Sequence, residues 1–225
     1  MTAAARDPLT SFIARSLRAE VSDVREEILL DTTELELDRI TFTLDGERRS
    51  LVMKRLPPAH SVEVQLLPFL SRKTDRVPTV HARGIPPAAA AGWPWLLVED
   101  LLEAPTACDD PIAIVRAKAD AERAVARDGP ALGALGVPRI ARRGALAEWP
   151  EALVHGALGC ASAVRAERGV VLRDWEHASL GCGLLDVVRL ARDARAELRP
   201  LAAAYGEAVE RVVSDEALDA AAELV

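Results

Sequence analysis

Aromatic side chains are scarce in this chain: Phe, Tyr and Trp together make up 4% of its 225 residues. Aliphatic side chains and alanine must therefore build the core, and with half of the residues hydrophobic there are enough of them. Basic charge is also in short supply. Lys and Arg number 28 against 35 Asp and Glu, a net charge of −7. That excess argues against nucleic-acid binding, which needs a basic surface to neutralise phosphates. No apolar run is long enough to span a bilayer, and the N-terminus lacks the continuous apolar core of a signal peptide. No membrane partner and a cytoplasmic location are therefore expected. Cysteine is limited to Cys108, Cys160 and Cys182. They are far apart, odd in number and in no metal-ligand spacing, so three reduced thiols are expected.

What is present reads as a two-part chain. Asp7-Pro8 predicts a helix start, with Pro8 at the first helical position. Phe12, Ile13, Leu17, Val21 and Val24 follow at helical spacing. Ile28-Leu29-Leu30 reads as extended. Ile40, Phe42 and Leu44 alternate with polar residues as in a half-buried strand. Asp45-Gly46 then predicts a hairpin, with Leu51 to Lys54 as the return strand. Pro57-Pro58 breaks the chain. Ser61 can cap a helix through Glu63, Leu66 and Leu67, which Pro68 should shorten or kink. Val77 to Val80 and Trp95 to Glu99 read as two more strands, joined by a loop from Ile85 to Pro94. After about residue 103 the chain turns helical. Helices are expected from Asp110-Pro111 to about Arg127, from Arg139 to Glu148, from Leu184 to Leu198, from Leu201 to Val213, and from Asp215 onward. This order predicts an α+β protein with its cleft near Glu99 to Glu103.

Several segments could carry chemistry. Lys54 ends the return strand, and Glu63 lies on the helix that follows. Taken alone, the first reads as an exposed edge-strand Lys and the second as a solvated helix Glu. Trp95-Leu96-Leu97-Val98-Glu99-Asp100-Leu101 is an apolar strand ending in two acids. Leu153-Val154-His155-Gly156-Ala157-Leu158-Gly159-Cys160-Ala161-Ser162 leads, after a short gap, to Val170-Val171-Leu172-Arg173-Asp174-Trp175-Glu176. Gly181 and Leu184-Leu185-Asp186 follow.

Taken in order from about Leu51 to Leu190, these segments resemble the aminoglycoside phosphotransferase family. The hinge matches its Leu-Leu-Met-Glu-Asp-Leu, Val77-Pro78-Thr79-Val80 its Val-Pro-x-Val strand, and Asp174-Trp175-Glu176 its metal-binding signature. The resemblance implies a two-lobed protein-kinase-like fold. A small β-rich N-terminal lobe (1–102) would precede a mostly helical C-terminal lobe (103–225). It implies that Lys54 contacts nucleotide phosphates and that Glu63 orients it. Backbone near Glu99 and Leu101 would face an adenine edge. Asp174 would hold Mg2+, with Ser162 as a poorer second ligand. His155 would organise its loop, and Asp186 would brace it.

The catalytic loop departs from the family's pattern. That loop usually reads His-Gly-Asp-Leu-His-x-x-Asn. Here Ala157 stands at the Asp, Gly159 at the second His and Ser162 at the Asn. Ala157 cannot accept a proton, so no catalytic residue is assigned. Glu176 and His177 lie beside Asp174, but nothing in the sequence aims them at a substrate. The phosphate-covering loop, expected at Asp31 to Glu36, reads Asp-Thr-Thr-Glu-Leu-Glu. It has no glycine to allow close backbone approach to phosphates, and Glu34 and Glu36 would repel them. The expectation is a pseudokinase that binds a small-molecule ligand or protein partner, with ATP and Mg2+ bound weakly or not at all. The alternative is an active ATP-dependent phosphotransferase acting on a hydroxyl of a small molecule such as an aminoglycoside. A third reading is a purely structural domain that binds no nucleotide.

Overall fold

The computed structural model describes residues 7–58, 62–86 and 92–225. The expected Ser61 cap and the middle of the Ile85 to Pro94 loop lie outside the described residues. The chain divides into two compact units, 1–64 with 79–100, and 65–78 with 101–225. The second therefore takes in residues 65–78, which the sequence reading placed in the N-terminal lobe.

The first unit opens with α1 (Pro8–Leu17), capped by the Asp7 side chain accepting from the Thr10 amide. Helical spacing suggested continuation through Val24, but Arg18 turns left-handed (φ 54°) and closes the helix. Val24 instead enters β1 (Ser22–Asp31). β2 (Glu36–Leu44) and β3 (Glu47–Arg55) form the predicted hairpin. Asp45 and Gly46 both have positive φ, 53° and 80°. That two-residue turn matches the right-handed twist of its flanking strands. β4 (Val80–Gly84) and β5 (Trp95–Glu99) complete an antiparallel sheet in the order β1-β2-β3-β5-β4. The strand expected from Val77 begins only at Val80. One face of the sheet buries Ile40, Phe42, Leu51, Met53 and Leu97 beneath Ile13 of α1. β3 buries Leu51 through Lys54 without a break, so both of its faces are covered.

α2 (Val62–Leu70) carries Glu63 in its first turn and continues through Pro68. In the second unit, α3 (Pro111–Ala124) is capped by the Asp110 side chain. It ends three residues before the expected Arg127. A short α4 (Gly129–Ala134) follows, where the sequence showed only Gly-Pro punctuation. The helix expected from Arg139 to Glu148 is absent: Arg139 bridges to Leu180, and only Gly144–Glu148 coils, as a 3-10 helix. β6 (Ala152–Val154) pairs with β9 (Ser179–Gly181), and β7 (Ala163–Ala166) with β8 (Gly169–Leu172). These two ladders present the loops 155–162 and 173–178. α5 (Leu184–Asp193), α6 (Leu198–Ala208) and α7 (Asp215–Ala222) finish the chain. α3 packs against α5 and α6 beneath the loops. No helix among the described residues is long and apolar enough to cross a membrane.

Candidate functional site

In the first unit, β3 and α2 bring Lys54 and Glu63 together. Lys54 Nζ lies 2.7 Å from Glu63 Oε2. The lysine is 6% exposed and the glutamate 1%, so neither is the solvated surface charge it resembles in isolation. β3 is a central strand, bonded to β2 and β5, and that placement buries its cation. Such a pair survives burial only because each charge offsets the other's lost hydration. At the end of β5, Glu99 accepts from the Thr79 amide through its side chain (3.1 Å) and donates to the Thr79 carbonyl (2.9 Å). Its carboxylate opposes the effect of burial on His81, whose pKa stays below the ordinary value. Asp100 pairs with Arg39 at 2.9 Å.

The turn between β1 and β2 is tight and self-satisfied. The Thr32 hydroxyl accepts from the amides of Glu34 (3.2 Å) and Leu35 (3.0 Å). The Thr32 amide donates to the Leu35 carbonyl at 3.1 Å. A phosphate-cradling loop offers its amides to the ligand. Here the amides of Thr32, Glu34 and Leu35 are spent inside the turn.

In the second unit, the loop 155–162 hangs from its buried side. Asp186, fully buried on α5, accepts from the amides of His155 (2.6 Å) and Gly156 (3.0 Å). The Ala157 amide points at His155 Nδ1 (3.4 Å), so the ring proton sits on Nε2, which meets the Arg173 carbonyl at 2.8 Å. The ring lies 4.5 Å from that of Trp175. Burial lowers the His155 pKa, against the opposing pull of Asp186. A neutral, doubly engaged imidazole orders the loop, and no proton-transfer role is visible for it. Gly156 has φ 88°, and a Cβ there would overlap the His177 carbonyl, so only glycine fits.

The outer side of the loop is chemically bare. Ala157 is exposed and presents a methyl group. The Ser162 hydroxyl is turned inward: it accepts from the Gly159 amide (3.0 Å) and reaches the carbonyls of Gly159 (3.0 Å) and Ala157 (3.3 Å). The Cys160 amide donates to Asp193 at 2.6 Å. Asp174 has φ 65° and a side chain 43% exposed, with Arg173 Nε at 3.7 Å from its carboxylate. Arg173 also donates to the carbonyls of Ala161 (3.0 Å) and Leu101 (3.3 Å). The Leu101 carbonyl receives the Ala104 amide as well, at 3.3 Å, and its side chain packs with Val164 and Val171.

Three features escaped sequence reasoning. Cys108 and Cys160 form a disulfide with Cα atoms 4.8 Å apart, which corrects the expectation of three reduced thiols; only Cys182 is free. Their separation of 52 residues gave no hint of the contact. Arg173, whose guanidinium donates to the Ala161 and Leu101 carbonyls, was not singled out by the sequence. Finally, Lys118 and Glu122 form a buried pair on α3, joined by the chain's one tyrosine, Tyr205, whose hydroxyl meets Glu122 at 2.8 Å. Lys118 Nζ lies 3.8 Å from Asp186. The i, i+4 spacing of Lys118 and Glu122 was the available signal.

No protein-family model matches this sequence, and no curated protein sequence matches it. Solved structures do. A macrolide 2'-phosphotransferase from Brachybacterium faecium superposes with a TM-score of 0.63 at 16% identity, covering 97% of this chain and 88% of that one. A protein assigned as a fructosamine-3-kinase from Thermobifida fusca gives 0.60 at 20% identity, covering 96% and 88%. A thermostable mutant of aminoglycoside phosphotransferase APH(4)-Ia, in ternary complex with AMP-PNP and hygromycin B, gives 0.50 at 14% identity, covering 88% and 81%. These likenesses show that the chain has the protein-kinase-like fold of small-molecule phosphotransferases, as its sequence pattern implied.

Proposed function

We propose that this protein is a pseudokinase: a chain of phosphotransferase fold in which phosphoryl transfer is impaired or lost, and which acts by binding a small-molecule ligand or a protein partner. One observation carries the reading. The exposed side of the loop 155–162 holds a methyl group at Ala157, and no other side chain of that loop offers a free base. General-base catalysis needs an acceptor within hydrogen-bond reach of the substrate proton.

ATP fits these residues poorly, and the second Mg2+ ligand expected at Ser162 is not on offer. Lys54 would be the phosphate contact, with Glu63 beside it, and Asp174 the metal ligand. The Thr32 turn keeps its amides to itself, and Ser162 points its oxygen into its own loop. The Leu101 carbonyl at the hinge is likewise taken up within the chain. No catalytic step is assigned. A cytoplasmic location belongs to this proposal, and a disulfide there would be a reversible one.

The buried Lys54–Glu63 pair favours the second reading, an active enzyme that transfers the terminal phosphoryl group of ATP to a small-molecule hydroxyl. Thermal unfolding with ATP and Mg2+ separates the two, because a ligand that binds only the folded state must stabilise it by mass action. We expect no shift at millimolar ATP and no phosphorylated product from aminoglycosides, macrolides or sugar amines. Product formed by the unaltered chain overturns the pseudokinase reading.

A further inference from the structure

Cys160 sits in the loop that a kinase would use for catalysis, and its partner Cys108 lies just ahead of α3. We propose that Cys108 and Cys160 are a reversible thiol–disulfide couple, a modification site that locks and releases the loop 155–162. The inference does not depend on whether the chain binds nucleotide.

Three observations support it. Both cysteines are half-buried, within reach of a small thiol, whereas Cys182 is buried. The two segments are also joined by hydrogen bonds independent of the covalent bond. The Thr106 hydroxyl donates to the Cys160 carbonyl at 2.9 Å, the Ala107 amide to Ala163 at 3.0 Å, and the Arg165 amide to Pro105 at 2.8 Å. Reduction should therefore leave the fold standing and the cysteines paired for reoxidation. Finally, the loop is fastened unevenly. Residues 155–156 hang from buried Asp186, while residues 157–161 are held by the Ser162 hydroxyl, by bonds to Asp193, Thr106 and Arg173, which are not buried, and by the disulfide, their one covalent tie. Breaking the disulfide loosens the part that carries exposed Ala157.

The chemistry balances as ordinary exchange. A thiolate of a dithiol reductant attacks one sulfur and forms a mixed disulfide, and the other cysteine leaves as a thiolate and takes up a proton. The reductant's second thiol then displaces the first cysteine. Two electrons pass to the protein sulfurs, and the reductant ends as its own cyclic disulfide. Oxidised glutathione reverses the process and leaves as two thiols.

The test uses the full chain, oxidised with glutathione disulfide or reduced with dithiothreitol. Each form is alkylated under native conditions and mapped by mass spectrometry, with amide hydrogen exchange run in parallel. The reduced form should be alkylated at Cys108 and Cys160 but not at Cys182, and the oxidised form at none of the three. Amides of residues 157–161 should exchange about tenfold faster after reduction while those of β3 do not change. Cys108→Ser should show the fast loop exchange of the reduced protein under both conditions, with Cys160 carrying a glutathione after treatment with glutathione disulfide, and Cys182→Ser should keep the response. Unchanged exchange in the loop overturns the proposal. So does failure to reoxidise, or loss of the circular dichroism of the folded chain on reduction, since either makes the bond a fixed staple. Chemically reduced wild type supplies the answer if the serine variant does not fold.

Discussion

The two sides of the loop 155–162 differ in kind. Its buried side is densely tied: Asp186 holds two amides, His155 bridges to Arg173, and Gly156 adopts a conformation no other residue fits. Its exposed side presents only a methyl group at Ala157, and the Ser162 hydroxyl is turned inward. The first unit repeats the contrast. The buried Lys54–Glu63 pair is in place, while the exposed turn at Thr32 has closed on itself. Buried polar groups are costly to lose because each leaves a partner stranded out of water. Exposed side chains carry no such penalty and can change while the scaffold stands.

The largest test of that contrast is Asp186→Ala. It strands two amides and leaves the buried Lys118 with less compensating charge. A loss of about 5 kcal/mol is expected in urea unfolding, the upper end for breaking a buried charge network. Less than about 1 kcal/mol would show that the loop does not hang from this residue.

Next comes the pair in the first unit. Lys54→Met and Glu63→Leu should each cost about 3 kcal/mol alone, and the two together less than either, because no buried charge is then left alone. Additive losses in the double-mutant cycle would show that the two charges do not depend on each other.

The scaffold was the legible part of this sequence, for physical reasons. Asp45-Gly46 encodes a turn locally, and Asp7-Pro8 encodes a helix start. Asp186 was recognisable because its motif fixes its distance from His155 in sequence. Some of the misses depend on distant partners and others on local geometry that residue type does not fix. Arg139 lies in a helix-like stretch, but its bridge to Leu180 holds it extended. Val24 keeps helical spacing, yet the left-handed Arg18 sends it into β1. The closing of Thr32 on its own turn, the inward Ser162 hydroxyl and the Cys108–Cys160 bond are side-chain orientations, and residue identity does not encode those. The methyl side chain of Ala157 was legible at once, and the occupied amides of the Thr32 turn were not.

A smaller effect comes from pH. Burial depresses the pKa of His155, and also that of His81. The unfolded chain therefore binds protons more readily than the folded one as pH falls through the ordinary histidine value near 6.5. Stability should be full above that value and fall as pH drops below it, by at most about 1.4 kcal/mol per pH unit for each histidine. His155→Gln should remove its share of that slope between pH 7.5 and 5.5. An unchanged slope would mean that the imidazole takes up its proton without disturbing the loop.

The smallest change in stability is expected at the position where activity would be most sensitive. Ala157 is exposed, so Ala157→Asp should alter stability by no more than about 0.5 kcal/mol. A positioned base is ordinarily worth about a hundred- to ten-thousand-fold in rate, which would be easy to detect. We nevertheless expect no turnover. The Ser162 hydroxyl would still be bound within its loop, and the Thr32 turn would still withhold its amides. Groups that act as a unit do not recover one at a time. Adding Ser162→Asn should not help either, because it removes the acceptor of the Gly159 amide and disturbs the loop it was meant to complete. ATP turnover by Ala157→Asp alone would show that the missing base was the only defect, and that the closed turn at Thr32 does not keep nucleotide out.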